Sequence, residues 1–187
     1  MATTSPDRPV AMAALHDAKR PVTIVAGPYG HPFHPILVTV PIGAWVVSIV
    51  FDLASRWSGE PEVFVKGSFW LIAAGIVGAL AAAVFGLLDL LAISRATPAF
   101  RTGLAHMALN VTVVALFAVS FALRRDHLDE GDVTVAAFAC SAAALVLLGV
   151  SGWLGGKLAY RYGVRVADES AQVEGYDTER HGRAGRR

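Results

Sequence analysis

Three imidazoles and a carboxylate, His31, His34, His106 and Asp89, are the side chains best able to do chemistry in this sequence, with Asn110, Lys157, Tyr160 and Arg161 as polar neighbours. Neutral imidazole nitrogens ligate divalent metals and haem iron, and a carboxylate can complete such a ligand set or take protons. His31 and His34 lie in Gly30-His31-Pro32-Phe33-His34-Pro35. A residue before proline is pushed out of the α region, so both histidines are expected on an extended approach, with Pro35 in the first turn of a helix. Capping explains such a motif as readily as ligation does. His106 and Asn110 are four residues apart on one helix face, and Ser120 continues that face. They can act as a ligand pair or simply hydrogen-bond to neighbouring helices. Asp52 precedes Arg56 by one turn, the spacing of a salt bridge at a helix end.

The elements that must position these groups are long and apolar. Of 187 residues, 55% are hydrophobic and 17% charged, with a mean hydropathy of +0.52, which is too apolar for an ordinary soluble domain. Four stretches, 36–54, 69–93, 104–123 and 133–156, contain no Lys or Arg. Each can cross a hydrocarbon layer of ~30 Å at a rise of ~1.5 Å per residue. The fold expected is therefore an all-α, four-helix transmembrane bundle. Its expected divisions are a polar N-terminal tail over 1–29, the four-helix membrane domain over 30–166 and a disordered charged tail over 167–187. A cleaved secretory signal is not expected, because the first apolar stretch follows a polar segment bearing several prolines. No internal repeat stands out. The net charge of +1 excludes the basic field that nucleic-acid binding needs, and the single Cys140 excludes a disulfide framework, a four-cysteine zinc site and a cysteine-held iron–sulfur cluster.

Charge placement orients the spans. Twelve Lys and Arg residues fall on the side of the two termini and four on the other, so both termini are expected in the cytoplasm. In the second span Gly75, Gly78, Ala82, Gly86 and Asp89 form one stripe, small enough for close helix contact, which aims Asp89 at protein. Ser141, Ala144, Gly152, Gly155 and Ala159 form a second stripe, with Gly152 and Gly156 as a G-x-x-x-G. Pro41 is expected to kink the first span. The first and third spans begin, and the second and fourth end, on the cytoplasmic side. His31, His34, Asp89, His106 with Asn110, and Lys157 with Tyr160 and Arg161 are thus expected in one inner layer.

The runs GHPFHPILVTVPIGAW (30–45), GLLDL (86–90), GLAHMALN (103–110) and GWLGGKLAYRYGVRV (152–166) resemble the bacterial membrane-protein family known as domain of unknown function 2231. The resemblance implies a multi-pass protein of the bacterial cytoplasmic membrane without an assigned activity. Similar modules are fused to Rieske iron–sulfur domains, which implies an electron-transfer setting with a partner protein. Lys157 and Thr39 stand where many relatives carry histidine, and there is no second cysteine for a Rieske centre. The leading reading is a redox-accessory or ligand-binding module. Haem b would be held by His34, His106 and His31, or a divalent metal by those three with Asp89. The alternatives are a structural or assembly protein without a cofactor, for which a homo-oligomer is one form, and a small proton-linked transporter. An enzyme ranks last, because no nucleophile–base pair or phosphate-binding loop is visible.

Overall fold

The computed structural model describes residues 8–176, whose regular structure is helical, with no strand among the described residues. Four segments, His34–Ser55, Pro61–Leu91, Pro98–His127 and Val135–Arg161, are long and apolar enough to cross a membrane. Their starts follow from local chemistry. Pro61 and Pro98 sit in the first turns of α4 (Pro61–Leu91) and α5 (Pro98–Arg124), where a missing N–H loses no helical bond. Thr97 and Thr134 cap α5 and α6 (Val135–Gly156) by accepting from the backbone N–H of Phe100 and Ala137. The first span breaks as Pro41 dictates. With no N–H at residue 41 the Leu37 carbonyl loses its helical donor, and the helix divides at Val38 into α2 (His34–Leu37) and α3 (Thr39–Ser55). His34 is the first residue of α2 rather than part of an extended approach, because its carbonyl already accepts from the N–H of Val38 at 3.1 Å.

Around the bundle the order is α3, α4, α5, α6, each packed on the next and α6 back on α3, so α3 and α5 stand diagonally across the axis. The outer surface is apolar, with Val77, Val84, Val111 and Val146 all exposed. Three side-chain pairs from the first and third spans fill the axis. His34 and His106 form the layer nearest the termini, with ring centroids 6.3 Å apart and planes at 87°. Trp45 stacks on Phe117 at mid-height, with centroids 4.2 Å apart and planes at 11°. Asp52 and Arg124 form the third layer.

The Asp52–Arg124 pair corrects the expectation that Asp52 pairs with Arg56. Arg124 Nη1 and Nη2 donate to the two carboxylate oxygens of Asp52 at 2.6 and 2.7 Å, and both side chains are fully buried. The remaining guanidinium N–H groups reach Ser120, Ser68 and Ser141 at 3.2, 3.2 and 3.3 Å. All five donors are therefore satisfied, which a guanidinium withdrawn from water requires. Arg56 ends α3 as its C-cap, beyond the buried layer, and there reaches the Val133 carbonyl and Asp132. Removing one partner leaves an uncompensated buried charge, so Arg124→Met alone should cost about 3–5 kcal/mol, and Asp52→Leu/Arg124→Met much less. Reversible unfolding of the purified protein in mixed micelles checks the difference.

At the end that carries both termini, α1 (Arg8–Lys19) packs against the chain that follows α6, and the Ala18 carbonyl accepts from the backbone N–H of Arg165 at 2.9 Å. The segment after Val166, expected to lack structure, instead carries α7 (Glu169–Val173) as far as it is described. Polar contacts hold it where apolar burial is lacking. The Tyr29 hydroxyl donates to Asp168 Oδ2 at 2.9 Å and accepts from its backbone N–H at 2.6 Å, while Lys19 and Arg20 lie 3.7 and 3.8 Å from its carboxylate. Residues 1–7 and 177–187, which complete the two expected tails, lie outside the described residues. The Tyr29 hydrogen bond, ahead of the Lys19 and Arg20 charges, holds the Asp168 carboxyl below its usual range. A lowered carboxyl value stabilises the folded form at pH values above the ordinary range, and that contribution disappears as pH falls through the lowered value. Amide exchange in residues 166–173, corrected for its intrinsic rate, should stay slow down to about pH 4 and accelerate only below it. In Tyr29→Phe exchange should already be faster at neutral pH and accelerate less on acidification; an unchanged profile would remove Tyr29 from this contact.

Candidate ligand-binding site

Each imidazole of the innermost layer lies against a glycine of the helix that follows it in the chain. A Cβ at Gly86 of α4 would stand 2.9 Å from His34 Cε1, and one at Gly155 of α6 would stand 3.3 Å from His106 Cε1. The missing side chains let the rings lie against the helix backbone. His34 Nδ1 donates to the Ala82 carbonyl at 2.9 Å, and His106 Nδ1 meets the Ser151 carbonyl at 2.9 Å. Both carbonyls belong to the residue one turn before the glycine, so the two contacts are built alike.

These bonds assign the tautomers. A carbonyl only accepts, so Nδ1 of His34 carries a proton, and in the neutral ring the lone pair is on Nε2. For His106, Asn110 Nδ2 lies 3.1 Å from Nε2 and donates to the His106 carbonyl at 2.9 Å. An amino group set between two acceptors makes Nε2 an acceptor as well, leaving the proton on Nδ1. Ser151 Oγ adds a contact to Nδ1 at 2.9 Å. Pinning Nδ1–H on a backbone carbonyl is the arrangement that orients metal-ligating histidines and raises their basicity.

The other expected members of the layer are distributed differently. Asp89 faces protein, as its small-residue stripe predicts, but its partner is Arg165, whose Nε lies 2.8 Å from Oδ1. That approach is off the N–H direction, so it is an ion pair rather than an aligned hydrogen bond, and Arg165 Nη1 has no partner among the described residues. Arg165 Nη2 donates to the Ala26 and Gly27 carbonyls at 3.0 Å each. His31 is exposed, 3.5 Å from the Tyr29 carbonyl, and does not join His34. Lys157, Tyr160 and Arg161 lie on a π-helical turn, Lys157–Arg161, that continues α6. Lys157 Nζ sits over the rings of Trp153 and Tyr162, while Tyr160 and Arg161 are exposed on the rim, outside the layer. Gly152 faces open space, so the G-x-x-x-G pair makes no helix contact and Gly155 makes the close approach.

The four expected metal ligands thus divide into an imidazole pair, a carboxylate engaged by arginine and a histidine at the surface. No group of three His, Cys, Asp or Glu side chains that could hold a metal ion occurs among the described residues. Sequence reasoning missed Ser151 and Arg165, which complete the surroundings of His106 and Asp89, and the Asp52–Arg124 pair. A usable signal existed. Asp52 and Arg124 are 72 residues apart, and the same spacing separates His34 from His106, Trp45 from Phe117 and Ser48 from Ser120.

A four-helix bundle with an apolar exterior, polar groups sealed on its axis and an opposed imidazole pair near one end defines a multi-pass membrane protein. The chain belongs to the family described as predicted membrane protein, DUF2231, whose pattern matches residues 30–168. No curated protein and no solved structure matches the chain.

Proposed function

We propose that this protein is a ligand-binding, redox-accessory module in which His34 and His106 together bind one metal centre, as a bound ion or as haem iron. The observation that carries this reading is the edge-to-face imidazole pair, with ring centroids 6.3 Å apart and both Nδ1 atoms on backbone carbonyls, so that Nε2 is the nitrogen each ring can offer a metal. A metal there would supply a one-electron couple. The chain's own residues orient the two rings, and the Trp45–Phe117 stack separates them from the far half of the bundle. Asp89 and Arg165 place a charged pair beyond Gly86, towards the termini. The excess of Lys and Arg at this end supports a cytoplasmic placement in a bacterial inner membrane, where an electron-transfer partner would dock.

A second reading, a structural or assembly protein without a cofactor, draws on Asn110, which already occupies His106 Nε2. The two readings separate on one measurement. Protein extracted from its native membrane, or loaded with iron, copper and zinc ions or with hemin, should carry one metal per chain. His106→Ala should hold at least about tenfold less while inserting normally. Metal at background under every loading condition would leave the structural reading in place.

A further inference from the structure

We infer that the membrane domain is one helical hairpin repeated in tandem, with its halves related by a two-fold axis along the bundle, and that the imidazole pair on this axis takes a metal centre bringing its own equatorial donors, a metallotetrapyrrole. The second half of this statement rests on the metal-centre reading above.

The repeat is carried by matched contacts rather than by similar residues. The common spacing relates His34 to His106, Trp45 to Phe117, Ser48 to Ser120 and Asp52 to Arg124, and three of these pairs meet each other on the axis. On the second helix of each hairpin, the spacing from Ala82 to Ser151 recurs between Gly86 and Gly155, between Gly75 and Ala144 and between Ser68 and Ala137. The contacts repeat with it. His34 lies on Gly86 and bonds the Ala82 carbonyl; His106 lies on Gly155 and bonds the Ser151 carbonyl. Gly75 is packed under Trp45, and Ala144 shares a buried cluster with Phe117. The matched positions also meet, though with donor and acceptor exchanged: Ser68 donates to the Ser48 carbonyl, and Ser120 donates to the Ala137 carbonyl. The ring order sets equivalent helices diagonally, and the first and third spans run in the same direction, as a two-fold along the bundle requires.

That symmetry decides the ligand chemistry. Each half contributes one imidazole, and a glycine stands beside each ring where a third donor would be. A free divalent ion asks for about four to six protein or water ligands. Asp89, the carboxylate beside His34 among the described residues, is taken by Arg165. Two like imidazoles on opposite sides of an axis are instead the protein's whole share of a centre whose other four donors arrive in a ring. Two rings bound in line to one metal at about 2 Å have centroids about 6 Å apart, and the observed separation is 6.3 Å. Asn110 satisfies Nε2 of His106 until that position is filled.

Hemin titrated into the purified full chain in nanodiscs should bind one per chain, with the spectrum of a six-coordinate, low-spin iron. His34→Ala and His106→Ala should each give a five-coordinate spectrum and weaken binding by similar factors of at least about tenfold, since equivalent ligands contribute alike. Zn²⁺ or Co²⁺ ions bound one per chain through both histidines, with hemin excluded, would overturn the tetrapyrrole while sparing the metal-centre reading. Failure of hemin and of every ion would remove both. The repeat has its own test in the buried ion pair. Asp52→Arg and Arg124→Asp should each fail or lower the unfolding midpoint sharply, and Asp52→Arg/Arg124→Asp should recover most of the loss, because the two positions exchange under the axis. A double variant no more stable than either single one would overturn the two-fold relation.

Discussion

A bilayer interior offers no water to a polar group, and the arrangement of this protein follows from that constraint. Arg124 is the clearest case. Its guanidinium donors are consumed by one carboxylate and three serine hydroxyls drawn from all four membrane-spanning helices: Asp52 from α3, Ser68 from α4, Ser120 from α5 and Ser141 from α6. One side chain thereby fixes the height and rotation of every helix at that level, a role apolar packing against lipid-like neighbours cannot perform, since lipid tails compete equally for apolar contacts. Above it the Trp45–Phe117 stack fills the axis, with the indole N–H bonded to the Ile72 carbonyl.

The glycines of the bundle do one specific job. Gly75 accommodates Trp45, Gly86 accommodates His34 and Gly155 accommodates His106. In each case a large ring from one helix lies on the bare backbone of the next, and for the imidazoles this brings a ring nitrogen to a main-chain carbonyl. A substitution at these positions would move the ring, not merely widen a helix spacing.

Much of this was readable from the chain itself. The four spans, the break caused by Pro41, the inward stripe leading to Asp89 and the His106–Asn110 pairing all follow from helical period and backbone chemistry. What escaped was long-range or lay against local expectation. Asp52 has a plausible neighbour in Arg56, and nothing local says that a residue on another helix competes better for it; burial decides, because among the described residues Asp52 is the counter-charge that meets Arg124 on the axis. Tyr160 and Arg161 follow from a helix continued at the α period, and the π-helical turn shifts their direction. The short helix beyond Val166 depends on Tyr29, far away in the sequence. The repeat was hidden because its halves conserve contact geometry while exchanging Trp for Phe, Ala for Ser and Asp for Arg.

The aromatic stack and the ion pair together plug the bundle between the imidazoles and the far end. Side chains thus fill the axis between the His34–His106 layer, at the end carrying the termini, and the far end of the bundle. Most of the voltage across an energised membrane, about 2.3 kcal/mol per elementary charge at 100 mV, then falls across the sealed part of the protein. Protons or electrons exchanged at that layer would enter and leave by the same face, doing little electrical work.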